Sequence, residues 1–290
     1  MSGYSLGFSI QMFRLYANLC RTFSLALLCA WPALLPAHDF WIEPTNMRGI
    51  PGEEIGIVLR VGEDLAGETV PYINQWFSDF RIVTPSGPEP VQAMLGDDPA
   101  GSFRPREPGQ YLIGYRSTRD FVEIEPQKFN EYLLAEGLDW VIERRAALGE
   151  AEQPARELYS RCAKSLLEIG RDGSRDAWQI NLGYTLELLP QLDPYRLEPG
   201  ETLPVRLDYR GEPIADILVV AFRSDAPEQR IERRTDAGGL VELPLDGPGI
   251  WLVKAVHSIR TRPDHPRAEW ESFWASLTFE LPAAAVAAND

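Results

Sequence analysis

From residue 38 onward the chain alternates between short apolar runs and turn-forming residues. EIGIVLRV at 54–61 repeats with a period near two, as a half-buried strand does. Residues 80–83 and 111–117 (YLIGYRS) read as strands, and FVEI at 121–124 follows them. Pro-Gly pairs at 51–52 and 108–109, with Pro85-Ser86-Gly87 and Pro99-Ala100-Gly101, supply turns at the intervals of a sandwich. No regular helix separates these strands, which argues against a doubly wound α/β sheet.

The period changes at about 126. PQKFNEYLLAEG at 126–137 places Phe129, Tyr132 and Leu133 on one side of a helix that opens with proline. Residues 138–148 carry Leu138, Val141, Ile142 and Ala146 beside Arg144 and Arg145. In 155–169, Leu158, Cys162, Leu166 and Ile169 recur at spacings of four, four and three, which predicts a third amphipathic helix. Beyond the polar hinge at 170–174, strand patterns return at 183–188, 203–209, 217–222, 240–245, 250–256 and 272–281. The pattern as a whole predicts a mainly β protein. Two β-sandwich domains of immunoglobulin-like or transthyretin-like type, at 38–125 and 175–281, flank a helical insertion at 126–174. The small, Ala-rich residues 282–290 read as a flexible tail.

The two β regions share a rhythm. PGEEIGIVLRV at 51–61 parallels PGETLPVRLDY at 199–209, and EPGQYLIGYRS at 107–117 parallels GPGIWLVKAVH at 247–257. Duplicated modules and a common way of opening strands both account for it.

Residues 1–37 are of another kind. They hold Arg14 and Arg21 and no acidic residue, then an apolar run over 22–35 and Pro36-Ala37. This reads as a secretory leader cut after Ala37, with a signal anchor as the rival reading. Cleavage turns the −15 of the 290-residue chain into −17, because two arginines leave and no acidic residue does. It also removes Cys20 and Cys29, so Cys162 remains alone and no internal disulfide can form. The expected location is the periplasm. An acidic balance of 43 Asp and Glu against 28 Lys and Arg argues against nucleic acid as partner.

Cleavage leaves His38 as the first residue, where an α-amine and an imidazole can grip one metal ion. Such a chelate suits nickel, cobalt or copper. The chain has three histidines. His257 ends an apolar strand, and His265 lies in a proline-flanked loop. Asp39 and Glu43 are candidate oxygen donors. No G-x-S-x-G, H-E-x-x-H, C-x-x-C or phosphate-loop motif occurs, so no enzyme is expected.

HDFWIEP at 38–44, the stretch 183–214, TDAGGLVELPLDGPGIWLVKAVH at 235–257 and WESFWASLTFEL at 270–281 carry a resemblance. The chain resembles a family of exported bacterial proteins with a formerly uncharacterised domain, described as periplasmic accessory components of nickel or cobalt uptake. The resemblance implies that His38 and His257 bind a divalent transition metal, nickel or cobalt, and hand it to an inner-membrane permease. His265, Asp39 or Glu43 would complete the shell. Two alternatives stand beside it: a metal-free envelope module that binds a protein or glycan, and a copper-dependent oxidative enzyme. The aromatic runs at 72–80 and 176–184 fit either a binding groove or core packing.

Overall fold

The computed structural model describes residues 38–170 and 172–283; the expected leader at 1–37 and residues 284–290 of the expected tail lie outside them. In chain order the first half holds β1 (Asp39–Pro44), β2 (Arg48–Gly49), β3 (Ile55–Glu63), β4 (Ala66–Val70), β5 (Phe77–Thr84), β6 (Gly87–Pro90), β7 (Ser102–Phe103), β8 (Gly109–Ser117) and β9 (Asp120–Ile124). Two helices follow, α1 (Pro126–Ala135) and α2 (Asp139–Ala147), and then the long strand β10 (Ala155–Ile169). The second half holds β11 (Leu186–Pro190), β12 (Thr202–Tyr209), β13 (Glu212–Pro213), β14 (Leu218–Arg223), β15 (Ala226–Arg234), β16 (Leu240–Pro244), β17 (Gly249–Arg260) and β18 (Trp270–Leu281). The fold is mainly β, with distinct sheets and a short helical region.

The organising element is a ten-stranded sheet whose main path runs β15-β14-β17-β18-β10-β8-β5-β6. It draws strands from both halves of the chain, joined where β10 lies parallel to β18 from Glu157↔Trp270 to Ser165↔Thr278. Side chains alternate across a strand, so each strand of this sheet feeds two different cores. Leu112, Leu166, Val253, Ala255 and Phe273 face one core, closed by the small sheet of β11, β12, β13 and β16. Tyr111, Ile113, Ala163 and Leu167 face the other, closed by the sheet of β1, β3, β4 and β7. The two small sheets therefore lie on opposite faces of the shared sheet. The helices share a face with β1, because Val256, Trp270 and Trp274 pack against Phe129, Leu133 and Val141.

The third expected helix is a correction. Residues 155–169 form β10, at the centre of the sheet, and the helical region ends at Ala147. The spacing of four was coincidental. A strand buried on both faces shows no alternation of apolar and polar residues, and β10 moreover buries Glu157, Lys164 and Glu168. These are held by partners: Lys164 Nζ donates to Glu187 Oε1 at 3.0 Å, and Arg48 and Arg175 bridge to Glu168. Cys162 is a buried strand residue rather than a helical one.

The β3–β4 hairpin turns through Asp64 and Leu65, both at φ 56°. A leucine is strained there. Its side chain packs beside Trp41, Val220, Phe222 and Leu252, which offsets the strain.

Candidate functional site

The expected metal ligands are distributed over the molecule rather than gathered. His257 belongs to the odd-numbered face of β17, with Val253 and Ala255, and its ring meets Tyr209 edge-on at 4.7 Å. Burial, with Arg210 adding to it, pushes the imidazole down to about 4, and its Nδ1 has no partner among the described residues. Asp39 lies across the sheet from it. Lys254, on the even-numbered face of β17, donates to Asp39 at 2.7 Å and to Glu136 at 2.8 Å. His38 adjoins Asp39, with Nε2 3.7 Å from Glu63 Oε1.

His38 and His257 thus sit toward opposite faces of the ten-stranded sheet, and the expected two-histidine site is not assembled. The other expected donors are engaged too. Glu43 pairs with Arg60 at 2.9 Å and accepts from the Trp41 indole at 3.2 Å. His265 Nδ1 accepts from the backbone N–H of Ala268 at 3.1 Å, closing its own turn. Among the described residues no group of three His, Cys, Asp or Glu side chains is arranged to hold a metal ion. The aromatic runs are largely packing: Phe77 and Phe80 meet Tyr115 at 5.7 and 5.3 Å inside the core beneath β5 and β8.

A different site forms where α2 meets the sheet. A polar cleft of about 350 Å³ opens between the loop after α2, the start of β10 and the start of β18. Trp270 forms part of its wall, along with Arg145, Gln153 and Glu269. Two ion pairs frame it. Arg156 Nε donates to Glu269 at 2.8 Å, and both terminal nitrogens of Arg260 donate to the Glu150 carboxylate at 2.6 and 2.7 Å. Glu123 stands exposed in the lining.

Arg145 has a different status. It sits one turn after Val141 on the inward side of α2, and both are buried. Its guanidinium lies 4.9 Å over the Phe129 ring. One terminal nitrogen, Nη2, donates to the carbonyls of Glu150 (2.8 Å) and Gln153, which shapes the loop at 148–154. The other, Nη1, is buried without a partner among the described residues. Burial pulls the guanidinium below its ordinary value against the opposing pull of Glu150 and Glu269. The sequence reading placed Arg145 only beside the apolar positions of its helix. The available signal was its spacing of four from Val141, which puts the charge on the inward face.

Two small sheets on opposite faces of one long sheet define a mainly β protein of sandwich type, with a polar cleft beside the helices. The chain belongs to the family described as a domain of unknown function, DUF4198, whose model matches residues 35–259. The chain matches no curated protein. Among solved structures, it is similar to the D0-D1 domain of intimin at 13% identity. That match covers 83% of this chain and 97% of the other, with a TM-score of 0.20. It is also similar to a tetra-tandem repeat in the extending region of a large adhesion protein, at 12% identity. There 85% of this chain and 50% of the other are covered, with a TM-score of 0.21. No described helix is long and apolar enough to cross a membrane.

Proposed function

We propose that the protein is a non-catalytic binding module of the cell envelope that takes a saccharide into the cleft beside Trp270. The observation that carries this reading is the cleft itself. Its volume of about 350 Å³ falls in the range of small-ligand sites, which begins at about 300 Å³. Its walls present guanidinium, carboxamide and carboxylate groups, the donors and acceptors that hydroxyl groups need, while the Trp270 indole lies buried behind them with Arg260 over its ring. Titrating the folded protein with a panel of neutral and acidic monosaccharides, followed by NMR, tests it. Shifts confined to Gln153, Arg156 and Trp270 are expected. No shift at millimolar sugar, or shifts elsewhere, ends the reading.

A second reading keeps the metal, moved to a smaller site. The 3.7 Å separation of His38 Nε2 and Glu63 Oε1 favours it. With an amine exposed by cleavage after Ala37, the amine and the imidazole Nδ1 would receive nickel, cobalt or copper as cargo for an inner-membrane transporter, and Glu63 at Nε2 would orient the ring and raise its basicity. His257 has no part in it. The mass of the exported protein and a calorimetric titration with each metal test this reading, with Glu63→Ala expected to weaken binding and His257→Ala to leave it unchanged. A chain that begins at any other residue defeats it.

A further inference from the structure

Met94 and Leu95 are the two most exposed large apolar side chains among the described residues, at 75% and 69%. Both sit in the connection between β6 and β7, in a turn that is built rather than loose. Met94 N–H donates to Asp97 Oδ2 at 2.7 Å, Asp97 N–H donates back to the Met94 carbonyl at 3.0 Å, and Gly96 takes a φ of 92°. Gly96 N–H donates to the Tyr72 carbonyl and Tyr72 N–H to that of Asp97. These bonds lace the turn to the 71–76 segment between β4 and β5 and set two turns side by side. Trp76, 46% exposed, closes the second turn by donating from its backbone N–H to the Ile73 carbonyl at 2.9 Å. Tyr72 anchors the pair, its ring meeting Phe77 at 5.2 Å and Phe80 at 6.3 Å at the edge of the core. Core packing accounts for Tyr72, Phe77 and Phe80. It does not account for Trp76, Met94 or Leu95.

We propose that these two turns form an apolar tip that enters the surface of a lipid bilayer with zwitterionic headgroups. The inference is independent of the cleft and of whatever ligand the cleft takes. Shape and size favour a bilayer over a protein partner. The tip stands proud of its surroundings, since a Cβ added at Gly96 would meet nothing within 4 Å. A stable protein interface engages about 20–30 residues a side, and the tip offers three large apolar ones. A bilayer asks for no matching shape, and its hold grows with the apolar area inserted. Tryptophan suits the headgroup level, where one end of the ring is apolar and the other wet. Charge selects the lipid. Residues 71–78 and 91–98 hold no Lys or Arg, and their only charges are Asp97 and Asp98. Asp97 caps its own turn and Asp98 accepts from the Thr69 hydroxyl. With a chain total of −15, an anionic lipid surface repels this tip rather than drawing it in.

Residues 1–37 carry an apolar run of their own, so the test uses the chain from His38 on, which holds every described element. It is co-sedimented with phosphatidylcholine vesicles and is expected to bind them. Met94→Ser combined with Leu95→Ser should weaken that binding at least tenfold. Leu192→Ser, at an exposed apolar residue of another loop, should leave it unchanged. Phosphatidylcholine brominated on its acyl chains should quench tryptophan emission, and Trp76→Phe should remove most of the quenching. That readout does not depend on how well the double variant folds. Replacing part of the lipid with phosphatidylglycerol at low salt should weaken binding. No binding to phosphatidylcholine, binding untouched by the double variant, or quenching untouched by Trp76→Phe overturns the inference. Binding that appears only with phosphatidylglycerol and vanishes in salt also overturns it, because charge rather than the apolar tip would then hold the protein. A dimer that ignores vesicles and is dissolved by the double variant makes the tip a contact between copies, and overturns it equally.

Discussion

His257 and Lys254 are three residues apart on β17 and face opposite sides of the same sheet: the imidazole rests against Tyr209, and the ammonium reaches Asp39 and Glu136. One strand thus carries a half-buried neutral base on one face and a buried cation on the other. Each makes a distinct contribution to the pH dependence of folding.

His257 is held down to about 4, against an ordinary value of 6.5, by burial first and by Arg210 second. Between those values the unfolded chain binds more protons than the folded one, so this residue makes stability rise with pH and withdraws it as pH falls from 6.5 toward 4. Discounted for its partial exposure, the contribution is about 2 kcal/mol. His257→Phe keeps a ring against Tyr209. Urea denaturation at pH 4 and pH 7 should show a shallower rise with pH for the variant than for the native chain.

Glu157 acts in the opposite sense. It is fully buried, and burial raises its carboxyl to about 7 against the smaller opposing pull of Ser272 and Tyr132. The folded chain therefore binds the extra proton between about 4.5 and 7, and stability falls as pH rises through that window. The loss is about 3 kcal/mol once pH exceeds 7. Glu157→Gln should be the more stable protein at pH 8 and should lose that advantage near pH 4.5. Since the two windows overlap, the native chain shows only their difference, and the single variants are needed to expose each.

Lys254 faces two buried carboxylates at 2.7 and 2.8 Å. Burial lowers its affinity for the proton, but Asp39 and Glu136 more than restore it, and the net shift is upward. Replacing it with methionine strands two acids in the interior, and a loss of about 3–5 kcal/mol in chemical denaturation is expected. Adding Asp39→Asn and Glu136→Gln to the same chain should recover most of that loss. If the triple variant is no more stable than Lys254→Met alone, charge is not what the cluster contributes.

Burial pushes the Cys162 thiol up to about 11. The thiolate is the reactive form, so Cys162 should resist thiol reagents in the folded protein at pH 8 and react once on addition of denaturant. Rapid labelling of folded chain lacking residues 1–37 would show that Cys162 is reached through an opening of β10.

Most strands of the fold were legible, since half-buried strands bounded by Pro-Gly turns alternate visibly. The paired rhythms also land in equivalent places: the 51–61 and 199–209 motifs run through β3 and β12 in the two small sheets, and the 107–117 and 247–257 motifs run through β8 and β17 in the shared sheet. What escaped had particular causes. β10 concealed its period by burying Glu157, Lys164 and Glu168 among partners distant in sequence. The edge strand β15 (APEQRIERR) is polar at six of its nine positions and carries no apolar alternation to read. The cleft was invisible for a related reason: Arg145, Arg156, Glu150, Glu269 and Trp270 meet only because β10 and β18 run side by side. The helices α1 and α2 were legible from Phe129, Tyr132, Leu133 and Val141, all buried as their spacing requires.

The place of β18 in the sheet has a consequence for the order of assembly. It spans 270–281, near the end of the chain, yet it lies between β17 and β10 at the centre of the sheet. A chain synthesised as far as residue 269 has two open strand edges facing a gap one strand wide, and neither core has its full wall. Insertion of 270–281 closes both at once. The two halves are thereby tied to a single late event, and long-range strand pairing of this kind folds slowly. Until then the exposed edges of β10 and β17 are the surfaces on which nascent chains of this protein would adhere to one another.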